Sequence, residues 1–148
     1  MQNVVTASTS GISLGTPITA TTPPVTSIVD GTLVKDSSSP AIYIVEYGKK
    51  RPFTSFDSFR ALGFSTVNVK VVSTSGLPLG DVVVTSARHT RGTLINLDGT
   101  IYFLGAIVKY GFPSAQVFTS WGRSFSEVVA GNSYDRNVSS GAVVEMKY

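Results

Sequence analysis

The reactive inventory of this chain is one histidine, nine carboxylates and no cysteine. A catalytic triad or a zinc centre needs several such groups converging on one point. Without cysteine, His89 can join neither a thiolate metal site nor a Cys–His pair. It stands between Arg88 and Thr90, has no counterpart earlier in the chain, and reads as a surface or capping histidine. Two opposed carboxylates could hydrolyse a glycoside, but the acids have ordinary duties. Asp57 falls in the first turn of a predicted helix, where it suits the dipole, and Asp30 and Asp98 precede glycines in turns. Glu46, Asp81 and Glu127 have no acidic companion in their own motifs. No nucleophile elbow, phosphate-binding loop or dinucleotide fingerprint is present. The expectation is a non-enzyme with no catalytic residue, cofactor or metal. Asn132, Asp135 and Asn137 form the one oxygen-rich cluster that could suit calcium. They read instead as turn residues bonding their own backbone.

Binding chemistry has one candidate. Lys49-Lys50-Arg51 is the only basic run in a chain of net charge +3. It is flanked by Glu46 and Asp57 and is too short for nucleic acid without a wider basic face. Tyr47 and Tyr110 are tyrosines that the internal repeat described below does not duplicate. Aromatic rings stack on sugar faces while their hydroxyls bond sugar edges. Tyr47, Lys49, Lys50, Arg51 and Tyr110 are therefore a candidate glycan-binding set, with partly buried loop tyrosines as the plainer reading. No apolar stretch nears the eighteen or so residues that span a bilayer. Residues 1–10 are polar and lack the basic start of a signal peptide.

The elements that must position these residues come in two copies. Gly31-Thr32-Leu33-Val34 recurs as Gly92-Thr93-Leu94-Ile95, at offset 61. Ile42-Tyr43, Phe53, Phe59, Gly63, Ser65 and Val69 recur as Ile101-Tyr102, Phe112, Phe118, Gly122, Ser124 and Val128, at offset 59. Gly80-Asp81-Val82-Val83 then matches Gly141-Ala142-Val143-Val144, again at offset 61. The second copy is thus shortened by two in its first loop and lengthened by two in its last, as a tandem repeat tolerates. Ser8 to Gly15 parallels Ser73 to Gly80 at offset 65, the tail of a preceding copy.

Within each copy the pattern predicts a short β-rich plan. Gly-Thr-Leu-Val opens a strand, and the run Ala41 to Val45 is a second. Tyr47 to Lys50 turns a hairpin. Ser55 caps a two-turn helix with Phe56, Phe59 and Leu62 on one side and Gly63 as its stop. Ser114, Ala115, Phe118, Trp121 and Gly122 repeat it, which places Trp121 in the core. Val67 to Val71 alternates like a half-buried strand, and valine strands at Asp81–Val84 and Ala142–Met146 close the copies. Hydrophobic residues make up 42% of the chain, enough to form a core. Charged residues are sparse at 14%, where soluble proteins average roughly 25%. Residues 4–20 are expected to supply a closing strand that covers the edge at Gly31–Val34.

Gly31 to Val34, Ala41 to Val45, Gly48 to Phe53, Phe59, Leu62-Gly63-Phe64 and Val69, with Ala87-Arg88-His89 and Val117 to Gly122, resemble a repeat of large secreted bacterial proteins. The resemblance covers nearly all of residues 30–148. It implies an extracellular or cell-surface location beside cell-wall domains, and brings no catalytic residue. The second copy departs from it, with Ala106-Ile107-Val108-Lys109 in place of the basic turn. The resulting expectation is an α+β protein of two tandem β-rich modules, each a short, mostly antiparallel sheet with one two-turn helix. Residues 1–29 are the tail of a preceding repeat plus a linker, 30–86 the first module and 87–148 the second. The expected role is a structural spacer, or alternatively a module binding glycan or cell-wall polymer. Neighbouring repeats are the expected partners, with no nucleic acid and no membrane insertion.

Overall fold

The computed structural model describes residues 28–147. The first sheet contains β1 (Leu33–Lys35), β2 (Tyr43–Glu46), β3 (Lys49–Pro52) and β4 (Lys70–Val71), in the order β3-β2-β1-β4. The second contains β5 (Leu94–Leu97), β6 (Thr100–Leu104), β7 (Val108–Gly111), β8 (Val129–Ala130) and β9 (Ser139–Ser140), in the order β8-β5-β6-β7-β9. Helices α1 (Phe56–Ala61) and α2 (Ala115–Ser120) lie in the two crossovers, and α3 (Ser133–Arg136) follows β8. The fold is α+β, as expected. Each sheet is an antiparallel meander of three strands with a further strand, β4 or β8, returning parallel to the first, and in the second sheet β9 adds parallel to β7.

The strand register repeats the sequence offsets. Leu33 faces Ile44 as Leu94 faces Phe103, and Val34 faces Lys70 as Ile95 faces Val129. The shortening falls in the first hairpin. There the loop after β1 is replaced by a tight Asp98-Gly99 turn with positive φ at both residues, the geometry that matches strand twist. Phe53 meets Phe59 edge-on at 5.2 Å and 88°, and Phe112 meets Phe118 at 5.2 Å and 85°. Tyr43 and Tyr102 are both half-buried.

Helices this short do not persist alone; caps and packing hold them. The Ser55 and Ser114 side chains accept from the Ser58 and Val117 amides. At the far end of α1 the Gly63 amide bonds the Arg60 carbonyl and the Phe64 amide bonds the Phe59 carbonyl. This Schellman closure requires the φ of +90° that Gly63 adopts; Gly122 stops α2 at +71°. Phe59, Leu62, Leu33, Ile44 and Val83 form one cluster under α1, while Val34, Val45 and Leu77 form another on the opposite face of the sheet. Full burial of Phe59 contributes about 1.5–3 kcal/mol.

Several expectations are corrected. Thr66–Asn68 is a 3-10 turn with Val67 exposed, and only Lys70–Val71 pairs as a strand. The closing valine strand of the first copy reduces to bridges at Leu79 and Val83. In the second copy, β9 and a bond from the Val144 amide to the Gly111 carbonyl replace it. Trp121 is 44% exposed, where its counterpart Leu62 is 5%; Leu62 belongs to the cluster under α1, whereas the Trp121 ring donates to the Glu145 carbonyl at 2.8 Å and lies 5.1 Å from the Lys147 ammonium. Strand β1 is no edge, because β2 and β4 flank it. The expected strand at residues 4–20 lies outside the described residues.

The two sheets meet backbone to backbone. A Cβ placed on Gly31 would lie 2.5 Å from the Gly92 carbonyl carbon, and one on Gly92 would strike the Asp30 carbonyl. Phe64 packs against clusters on both sides of this seam. Gly92→Ala carries about 1–2 kcal/mol of left-handed backbone strain plus this collision. Gly99→Ala, at φ +91° with open space around it, carries the strain alone. Urea unfolding should show the larger loss for Gly92→Ala.

Candidate functional site

Among the described residues, interior polar groups gather in two equivalent centres and along the seam. In the first sheet the Lys50 ammonium bonds the Thr74 carbonyl at 3.1 Å and hydroxyl at 2.9 Å, and lies 5.1 Å from the Tyr43 ring centroid. Thr74 is fully buried, and its amide and hydroxyl both donate to Asp36. The hydroxyl first, then the amide, hold the Asp36 carboxyl below the ordinary range against its desolvation.

Lys109 occupies the same place in the second sheet. It is buried, lies 5.5 Å from the Tyr102 centroid, and donates to the carbonyls of Asp135, Arg136 and Val138. Three main-chain oxygens around one ammonium fix the loop that carries α3. That loop holds Asn132, Asp135 and Asn137. Asn132 caps α3 and donates to the Ala87 carbonyl at 3.0 Å. Asn137 ends the helix. The Asn132 cap is a local turn bond of the kind the sequence suggested, whereas its bond to Ala87 reaches 45 residues along the chain.

Asp135 does more. It is fully buried, and its carboxylate accepts from the His89 amide at 2.7 Å and the Asn132 amide at 2.8 Å. The His89 ring closes the set, with Nδ1 2.6 Å from Oδ2. Nε2 lies 2.7 Å from the Leu62 carbonyl, across the seam, and Phe64 meets the ring edge-on at 5.8 Å. His89 is therefore an interior residue, 3% exposed, and the surface reading is corrected. Its sequence neighbours give no sign of this, because the partners lie 46 and 27 residues away. The Asp–His arrangement matches two members of a hydrolytic triad, but a carbonyl occupies the place of the nucleophile. Desolvation acts to raise the Asp135 carboxyl; the bonds from the His89 ring and the two amides outweigh it and hold the group below the ordinary range.

Arg91 ties the seam on its other flank. Its amide donates to Glu46 at 2.6 Å, its guanidinium meets Asp30 at 2.9 Å, and it lies 5.0 Å from the Tyr47 ring centroid. Asn68 donates to the Ser126 carbonyl at 2.9 Å. A cleft of about 330 Å³ opens beside these bonds, lined by Asp30, Asn68, Lys70 and the ion-paired Arg123 and Glu127 among others.

The candidate glycan set is distributed over these features. Tyr47 is exposed at the β2–β3 turn beneath Arg91. Lys49 and Arg51 share one face of β3, over Gly80. Lys49 is exposed, whereas Arg51 bonds Glu46 at 2.6 Å and the carbonyls of Asp81 and Val82. Lys50 points to the opposite face and is committed to Thr74. Tyr110 is half-buried against Gly105 and Gly141, and it does not line the cleft of about 260 Å³ beside Tyr47. Among the described residues no helix is long and apolar enough to cross a membrane, and no cluster of three His, Cys, Asp or Glu could hold a metal. Comparison with protein families, with curated proteins and with solved structures finds no match.

Two outcomes follow. Leaving a buried donor unmet costs about 1–3 kcal/mol, and Asp135→Ala strips the acceptor from the His89 ring and two amides, so it should lower stability by at least that amount in denaturant titration. Because the folded-state value of Asp135 is depressed, its contribution is present above the ordinary carboxylate range. It is lost as pH falls through the folded value, and Asp135→Asn should flatten that acid limb. Lys109→Met leaves interior carbonyls unpaired and should cost about 1–3 kcal/mol, more than Lys50→Met at the less buried site.

Proposed function

We propose that this chain is a non-enzymatic spacer from a bacterial extracellular surface protein, in which folded units are joined in a fixed relation. The observation that carries this reading is the seam. Backbone contact at Gly31 and Gly92, the shared Phe64, the His89–Leu62 bond and the Arg91 contacts with Asp30, Glu46 and Tyr47 all join one sheet to the other. The interior cations and the Asp–His pair are committed to main-chain oxygens and to each other, as suits a structural part. The extracellular assignment rests on the resemblance given above.

A second reading, glycan or cell-wall-polymer binding, is favoured by Tyr47 alone. This ring is 59% exposed, beside Arg88 and Arg51 in the smaller cleft. A panel of wall polysaccharides and peptidoglycan fragments separates the two. The spacer reading expects no saturable binding by wild type and none altered by Tyr47→Ala. Binding lost on Tyr47→Ala would establish the second reading in its place.

A further inference from the structure

We infer that His89 is a proton-dependent latch between the two sheets: the doubly protonated ring closes the seam, and loss of one proton loosens it. The inference goes beyond the spacer reading and does not rest on it.

The geometry leaves the ring one way to satisfy both neighbours. A carbonyl oxygen only accepts, so the 2.7 Å contact with Leu62 requires a proton on Nε2. The Asp135 carboxylate already accepts two amide protons, and its 2.6 Å contact with Nδ1 requires a proton there as well. A neutral imidazole carries a single N–H. Either tautomer then sets a bare ring nitrogen against an oxygen at a residue only 3% exposed. The remaining proton stays with the stronger acceptor, the carboxylate. The bond surrendered is the one to Leu62, which crosses the seam.

The charged groups around the ring agree with this assignment. Asp135 faces it from α3. Lys109, on β7, bonds the carbonyls of Asp135, Arg136 and Val138 rather than the Asp135 carboxylate or the ring. Arg88 turns its guanidinium onto the His89, Gly105 and Ala106 carbonyls rather than toward the ring. From the first sheet come the Leu62 carbonyl and the edge of Phe64; Glu46 and Arg51 line the cleft that His89 borders and are bonded to each other. Asp135 is therefore the one carboxylate in contact with the imidazole among the described residues.

The absence of cysteine permits clean labelling. Arg60 and Thr119 are exposed and stand at equivalent positions of α1 and α2. The full chain carrying Arg60→Cys and Thr119→Cys, spin-labelled, is measured by pulsed dipolar spectroscopy across and beyond the span of about pH 5 to 8 in which histidines ordinarily change charge. The His89 ring nitrogens are followed by NMR over the same range. The expected result is a narrow distance distribution while both ring nitrogens are protonated. It broadens with the midpoint of the ring's own titration, as the open population rises about 5- to 150-fold, the effect of one unmet interior acceptor. His89→Gln cannot acquire the charge, and its distribution should not change with pH. A distribution that stays narrow while the ring deprotonates overturns the latch, as does a ring that is neutral throughout. A distribution broad at every pH contradicts the fixed relation assumed for a spacer as well, so the two failures are distinguishable. Should His89→Gln fail to fold, the wild-type titration decides alone.

Discussion

An interior oxygen or nitrogen left without a partner costs about 1–3 kcal/mol, and that constraint shapes the seam between the two sheets. The Leu62 carbonyl ends a short helix, where the last carbonyls have no partner within the helix. It is buried because the second sheet covers it, and it is satisfied because His89 arrives with that sheet. His89 in turn is held by Asp135, Asp135 by the amide of Asn132, and the loop carrying them by the Lys109 ammonium. The chain of dependence runs from a helix end in one sheet to a lysine beneath a tyrosine in the other.

The two sheets answer the same packing requirement with different chemistry. Thr74 and Asp135 are equivalent positions, both fully buried. In the first sheet the carboxylate comes from Asp36, in the loop after β1, and Thr74 supplies two donors to it. The second sheet has no room for that loop, because the Asp98-Gly99 turn replaces it. The carboxylate moves to the buried position itself, and its donors come from His89 and Asn132. The lysine and the tyrosine above it are common to both. A shorter loop has thus been accompanied by a relocated acid and a new base.

The legibility of the sequence follows from the range of the interactions. The opening strands and hairpins, the Ser55 and Ser114 caps, the Gly63 and Gly122 stops and the core places of Phe53 and Phe59 could be read because each depends on near neighbours or on the repeat. Lys109 was legible in the same way, since it stands to Lys50 as Tyr102 stands to Tyr43, although the loss of the surrounding basic turn obscured it. His89 and Asp135 were not, because no local pattern joins residues 46 apart. Trp121 was misplaced for a related reason: a position repeats, but what covers it does not. Of the candidate glycan residues, Lys50 and Arg51 read as surface charges in sequence and are anchored by carbonyls from the loop after β4, which only the fold brings to β3.

Phe64 belongs at once to the cluster under α1 and to the cluster of Ile95, Leu97, Leu104 and Val129. One side chain shared by two hydrophobic cores couples their melting. If either sheet unravels, the ring loses half its surroundings and the surviving core gains exposed apolar surface. In linear proteins built from like units, such nearest-neighbour terms decide whether the units come apart singly or together. The benzene ring at the seam thus favours all-or-none unfolding.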